Sequence, residues 1–328
     1  LKAQGSRPKI RSVRRSTRAP RRVARFRFVP KPPYSFALTV HKPAGWHWLT
    51  PGETWDDATE TMFTGLRLSH GRAIGIKARS TGGARPAVIV GAYAAQPLTR
   101  AERRELRLTL RHALDVDADI KGFYRLAARD AVLGPLARRL RGMHEGYWAG
   151  LWPLLVLAVT LQMAPIKRSM AMLHALLEHY GQRMRFDNHS VRLWPTPERI
   201  AAAPLRELKA RCRLGYRAKV LKRIANRLET GFPLLDELKA MEPATAANKL
   251  QELYGVGAYS AAMVTPHVSF PLDVWSVQIF APLLGVRIPR DRDPRELIPR
   301  VERAAERRWG EWRGLALVYV LNALDETG

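Results

Sequence analysis

The sequence predicts an α+β protein, a small N-terminal antiparallel sheet domain over residues 34–112 followed by a helical core over 113–328. Three observations predict it. Between Tyr34 and Gln96 short apolar runs are bounded by turn residues, the pattern of strands. From Leu98 onward apolar residues recur every three to four positions, the period of helices. Ahead of both, residues 1–33 carry Pro8, Pro20, Pro30, Pro32 and Pro33 among many arginines, too little apolar surface to offset the entropy of folding.

Taken in order, residues 1–33 are expected to be a flexible basic tail, either a solubilising extension or an arm that engages DNA. The tail holds twelve Lys/Arg and no acid through residue 32. Strands are predicted at Ser35–His41, Glu60–Leu66, Ala73–Ala78 and Ala87–Ala94, with turns at Pro43-Ala44-Gly45 and Gly82-Gly83. The helical part divides into about ten segments at the turn signals Gly134-Pro135, Gly181, Gly215, Gly231 and Gly255. Its longest apolar stretch, Leu151 to Ile166, includes Thr160 and Gln162 and falls short of the ~20 residues that cross a bilayer, so it reads as a buried helix. No fixed-period repeat is visible, which argues against a solenoid.

Composition narrows the function. Lys plus Arg number 55 against 29 Asp plus Glu, and without the tail's cations the balance is still 43 against 29. Such a surface selects polyanions, nucleic acid first. The single cysteine, Cys212, excludes an intramolecular disulfide framework and any four-cysteine zinc or iron–sulfur site. No iron–sulfur cluster is therefore expected, and no cofactor is expected to be required. A reducing compartment fits: cytoplasm with nucleoid association, or a nucleus. The N-terminal residues contain no apolar run of the secretory kind.

The segment Leu253-Tyr254-Gly255-Val256-Gly257-Ala258-Tyr259-Ser260-Ala261 joins two short helices, at about 245–265, through two glycines around one apolar residue. Glycines allow a tight reversal, and the amides at the start of the second helix face outward, an arrangement that binds phosphate without reading sequence. Downstream, Phe270-Pro271-Leu272-Asp273-Val274-Trp275 sets one acid in an apolar run. Asp273 is placed to cap the helix from Val274 to Leu284, which would also hold a carboxylate rigidly at a cleft.

Together these residues resemble the helix-hairpin-helix DNA glycosylases. Leu214-Gly215-Tyr216-Arg217-Ala218-Lys219, Val159-Thr160-Leu161-Gln162-Met163 and Trp312-Arg313-Gly314 are similar to segments of that family's 8-oxoguanine and 3-methyladenine branches. The likeness runs from about Tyr34 to Leu324, although the stretch between hairpin and acid is a few residues shorter than usual. The resemblance implies a helical glycosylase core in which Asp273 is the catalytic acid. It places Gly255, Val256, Gly257, Ala258, Tyr259, Ser260, Gln162, Met163 and Lys219 against DNA, with Met163 as a wedge into the base stack. It further implies a pocket for an extruded base lined by Tyr259, Trp275, Tyr216, Leu317 and Tyr319. A monovalent cation held by the carbonyls of Gln251, Leu253 and Val256 belongs to the same pattern.

Family members that also cut the strand carry a lysine two residues after the second hairpin glycine, where this chain has Tyr259. The expected enzyme is therefore a monofunctional glycosylase without strong lyase activity, acting as a monomer on double-stranded DNA that contains a damaged base. Lys219 and Lys249 are the other amines in this half of the chain. An alkylated purine such as 3-methyladenine is the expected substrate, because Leu317 stands near the position at which the 8-oxoguanine branch has a base-reading Gln. Excision of 8-oxoguanine, a non-catalytic helix-hairpin-helix DNA-binding protein and a basic nucleoid protein are the alternatives. The last two leave the acid at position 273 unexplained.

Overall fold

In the computed structural model, which describes residues 19–43, 54–83, 85–146, 150–265, 270–289 and 293–324, the N-terminal part is a five-stranded antiparallel sheet. Strands β1 (Arg21–Phe28), β2 (Thr54–Asp56), β3 (Thr61–Arg67), β4 (Ala73–Ser80) and β5 (Val88–Ala94) lie in the order β1-β5-β4-β3-β2. The first of these corrects the tail predicted over residues 1–33. Ala24, Phe26 and Phe28 alternate with the exposed Arg25 and Arg27, and the apolar set enters the core as β1 pairs with β5, Phe26 opposite Val90 and Phe28 opposite Val88. The arginine density of the segment hid a strand's two-residue period. Residues 1–18 lie outside the described residues.

Residues 35–41 form a short helix, α1 (Phe36–Val40), where a strand is predicted. The Ser35 hydroxyl caps it by accepting the Leu38 amide, and Phe36 and Val40 meet the core four residues apart. A five-residue apolar run cannot be told apart by period alone, and here the cap decides. Of the turn Pro43-Ala44-Gly45, only Pro43 is among the described residues. The remaining expected strands agree with β3, β4 and β5.

Helices α2 (Arg100–Ala113), α3 (Lys121–Ala127), α4 (Leu133–Arg139), α5 (Leu151–Leu161) and α6 (Ile166–Tyr180) follow the sheet. Thr99 and Glu102 form a reciprocal capping box at the start of α2. A hairpin that the helical reading missed comes next, β6 (Gln182–Phe186) and β7 (His189–Leu193), reversed at Asp187 and Asn188, both with positive φ. Asx residues in that conformation make the tight turn that suits paired strands. The hairpin covers the outer face of the larger sheet. Gly65 and Gly75, paired across β3 and β4, give a smooth strip on which Leu193 and Phe186 rest. A Cβ at Gly75 would come within 2.5 Å of the Phe186 ring.

Helices α7 (Pro197–Ala202), α8 (Leu205–Arg211), α9 (Arg217–Glu229), α10 (Leu235–Ala240), α11 (Pro243–Gln251), α12 (Ala258–Val264), α13 (Val274–Leu283), α14 (Ile298–Trp309) and α15 (Arg313–Leu321) complete the chain. Two cores organise them. One joins the inner sheet face to α2, α5, α6 and α9 through Phe26, Ile76, Leu110, Leu155, Leu173 and Leu221. The other joins α3, α4, α13, α14 and α15 around Phe123, Phe280, Trp309 and Tyr319. Helix α5 is buried on nearly every side, as expected for the apolar stretch. Among the described residues no helix is long and apolar enough to cross a membrane.

Candidate active site

Where α11 turns into α12, Leu253 and Val256 point into the first core and leave the turn's backbone outside. Gly255 has φ +79°, and a Cβ there would strike the Val220 side chain of α9 at 2.8 Å. Glycine is required on both counts. Gly257 has ordinary φ, and a Cβ there would meet nothing within 4 Å. Its bare backbone faces open space, room for something outside the chain to approach closely.

Gln162, just past α5, braces this turn. Its Nε2 donates to the Gly255 carbonyl at 2.8 Å and to the Ser260 hydroxyl at 2.8 Å. The DNA-contacting role expected for Ser260 is therefore corrected as far as its side chain is concerned. Ser260 is buried and Gln162 is committed to it, so both hold the hairpin in place. The Arg217 guanidinium, itself buried, donates to the main-chain carbonyl of Gln162. The next residue, Met163, has φ +47° and a side chain 64% exposed. A non-glycine residue held in the left-handed region carries backbone strain, a condition that clusters at functional positions.

Next to the segment that carries Met163, a narrow cleft of about 40 Å³ lies between the two cores, lined by Tyr259, Met263, Asp273, Trp275, Leu317 and Leu321 among others. Asp273 caps α13 as expected. Its Oδ1 accepts the Trp275 amide at 3.1 Å, the Ser276 amide at 2.8 Å and the Ser276 hydroxyl at 2.8 Å. These three bonds all fall on one oxygen, which fixes the carboxylate and leaves Oδ2 for other partners. Burial, and then the charge of Asp273, hold the Tyr259 phenol far above its ordinary pKa, so it stays a protonated, neutral neighbour. Trp275 is 48% exposed at the cleft wall, available for stacking.

Two pocket expectations are corrected. Tyr319 is fully buried in the second core, its hydroxyl donating to the Met143 carbonyl at 2.9 Å, 3.0 Å from the Tyr124 hydroxyl, so it cannot meet a base in the cleft. Aromatic residues at helical spacing serve the core more often than a site. Tyr216 stands away from the cleft lining, half exposed beside the hairpin, with the Arg217 guanidinium 4.7 Å from its ring. The sequence reading missed Tyr254 and Arg223. Tyr254 is exposed at the hairpin, with the Arg223 guanidinium 4.0 Å and the Lys219 ammonium 5.9 Å from its ring centre. The signal was present: Lys219 and Arg223 are four residues apart on α9 and face the turn containing Tyr254. Lys249 is ion-paired with Glu252 at 2.8 Å.

No family model and no curated protein matches the sequence. Among solved structures, the 3-methyladenine DNA-glycosylase from Archaeoglobus fulgidus superposes with a TM-score of 0.72 over 92% of this chain and 98% of its own, at 19% identity. MBOgg1, in complex with a low-affinity DNA ligand, superposes with a TM-score of 0.69 over 93% of this chain and 96% of its own, at 17% identity. The fold is that of the helix-hairpin-helix DNA glycosylases. A third member of that fold, the 8-oxoguanine glycosylase/lyase of Clostridium acetobutylicum with double-stranded DNA containing cytosine opposite 8-oxoG, has a TM-score of 0.60 and 16% identity, covering 80% of this chain and 87% of its own. The helix-hairpin-helix glycosylase fold thus serves proteins named for different bases, and the substrate has to be argued from the cleft.

Proposed function

We propose that this protein is a monofunctional DNA glycosylase that extrudes a damaged base from double-stranded DNA and hydrolyses its N-glycosidic bond, with alkylated purines such as 3-methyladenine as substrates. The observation that carries this reading is the Asp273 carboxylate, fixed through one oxygen at the wall of a cleft beside an exposed tryptophan. As the bond from C1′ to the base nitrogen breaks, the base leaves with the bonding pair and positive charge develops on the sugar. A preorganised carboxylate in a poorly hydrated cleft stabilises that charge. Water then adds to C1′, oriented by Asp273, which takes its proton.

Around this centre the chain supplies the means of holding DNA. The turn from Gly255 to Tyr259 presents backbone amides to a phosphate, Lys219 and Arg223 add charge on the exposed flank of α9, and Met163 fills the gap left by the extruded base. The carbonyls of Gln251, Leu253 and Val256 suit a monovalent cation, being neutral oxygen donors on one turn; Leu253 spends one lone pair on the Val256 amide at 3.0 Å and keeps the other. Such an ion would fix the turn against phosphate.

For the substrate, the cleft offers an indole, Met263, Leu317 and Leu321, surfaces for stacking a cationic, weakly bonded base. Leu317 gives no polar group for telling 8-oxoguanine from guanine. The test is incubation of the purified protein with duplexes holding one lesion each, followed by alkali and by chromatography of the released base. Release of methylated purines supports the reading. Release of 8-oxoguanine alone replaces the substrate, and release of no base from any duplex refutes the activity.

A further inference from the structure

On the sheet side of the molecule, a recess of about 200 Å³ lies where the end of β3, the end of α6, β6 and α7 meet. Its lining is Arg67, Tyr180, Gln182, Pro195, Thr196 and Arg199. What distinguishes it is the imbalance of donors over acceptors. The Gln182 Oε1 accepts from Arg67, the Pro195 carbonyl accepts from the Trp152 indole at 2.7 Å, and the Thr196 hydroxyl oxygen accepts the Arg199 amide at 3.4 Å. Each of these acceptors already takes a hydrogen bond, whereas two buried donors of the lining make none among the described residues.

The Tyr180 side chain is 8% exposed, and its hydroxyl is a buried group with no hydrogen-bond partner among the described residues. The Arg67 Nε is in the same condition, while its two terminal nitrogens donate to the Gly71 carbonyl and to Gln182. Arg199 is exposed at the rim. Buried donors without acceptors are costly and rare in folded chains, and a cluster of them needs an explanation. Charge points the same way. Burial holds the Arg67 guanidinium below its ordinary basicity; Glu198 offsets part of this and Arg199 adds to it. Burial also keeps the Tyr180 phenol protonated, hence a donor. Two carboxylates are felt here, Glu198 at Arg67 and Glu207 at Tyr180, and both lie outside the lining.

We propose that this recess binds a phosphate-class oxyanion, with the Tyr180 hydroxyl, the Arg67 Nε and the Arg199 guanidinium donating to its oxygens and the Gln182 amide completing the set. A tetrahedral oxyanion supplies several acceptors from one small group, which matches both the volume and the donor list. The site stands apart from the Asp273 cleft, shares no lining residue with it and does not depend on the glycosylase reading.

Titration calorimetry of the full-length protein with inorganic phosphate in chloride buffer tests this. Saturable one-to-one binding is expected. Tyr180→Phe and Arg199→Gln should each weaken it about fivefold, the scale of one lost hydrogen bond, whereas Lys219→Gln at the hairpin should leave it unchanged. Arg199 is exposed, so its variant keeps the fold even if Tyr180→Phe does not. Absence of saturable binding, or equal weakening by Lys219→Gln, overturns the proposal. Repeating the titration with a saturating undamaged duplex separates two sources of the phosphate. Retained binding assigns a small-molecule phosphate, and loss assigns a phosphate of the DNA backbone.

Discussion

The Arg217 guanidinium donates to the carbonyl of Gln162, one residue before Met163 takes its left-handed conformation between Leu161 and Ala164, which line the cleft. Because Gln162 also grips Gly255 and Ser260, a single residue couples the exposed methionine to the hairpin. Arg217 then acts as a positioning residue. Its Nε is buried without a partner among the described residues, so an apolar replacement of similar length relieves one cost while losing the bond to Gln162. Arg217→Met is expected to change thermal stability little and to lower single-turnover excision by about tenfold, the scale of one charge-assisted hydrogen bond. A fluorescent base analogue opposite the lesion should report slower extrusion, and unchanged extrusion refutes the coupling.

Two substitutions at Asp273 separate its two tasks. Asparagine caps a helix as well as aspartate does, so Asp273→Asn should keep thermal stability and duplex affinity while excision falls at least ~100-fold. Asp273→Ala should lose the same activity and about 1 kcal/mol of stability besides. Denaturant melts beside single-turnover assays decide it. Near-normal excision by Asp273→Asn removes this carboxylate from the mechanism.

With Tyr259 half-buried and neutral beside Asp273, no amine occupies that position. The product is expected to be an intact strand bearing an abasic site, broken only after alkali is added. Borohydride present during turnover should trap no protein–DNA adduct. A trapped adduct would identify another amine as nucleophile.

Glu102 accepts the Thr99 amide at 2.7 Å and the Arg72 guanidinium at 2.7 Å. Burial opposes its charge, but these bonds outweigh burial and hold its pKa at about 2, against 4.5 unperturbed. A depressed carboxylate contributes stability that is present above the unfolded value and is lost as pH falls through the folded one. Urea melts should therefore show stability declining between about pH 5 and pH 2, and Glu102→Gln should flatten part of that decline. An identical slope in the variant would sink the assignment.

Residues 1–18 hold seven of the chain's cations and no acid. Their deletion is expected to weaken non-specific duplex binding and to flatten its salt dependence, by roughly 0.9 in log–log slope for each phosphate the segment neutralises, with the saturated excision rate unchanged. Affinities measured from low to high salt give the slope directly. An unaltered slope returns the segment to a solubilising role.

Those segments that were legible in the sequence are the ones whose chemistry is local. The two glycines of the hairpin, the capping aspartate and the apolar stretch of α5 each carry their cause within a few residues. What stayed hidden depends on distant partners. Strand β1 is visible only once Phe26 and Phe28 are known to meet β5, because arginines fill the alternate positions. Tyr216 and Tyr319 look alike in sequence, yet one is half exposed and the other sealed in the second core. The recess at Tyr180 draws its donors from residues as far apart as Arg67 and Arg199, and no pattern along the chain could have brought them together.

The glycine strip formed by Gly65 and Gly75 also bears on how the chain is made. The sheet's strands leave the ribosome nearly ninety residues before the β6–β7 hairpin that covers their outer face. Until then Phe63 and Tyr93 lack their cover of Phe186, Met184 and Leu193. The sheet therefore spends the middle of its synthesis with one greasy side turned outward. A nascent chain stalled before residue 182 would be sticky and a natural client for chaperones, whereas completion of the hairpin closes that window in one step.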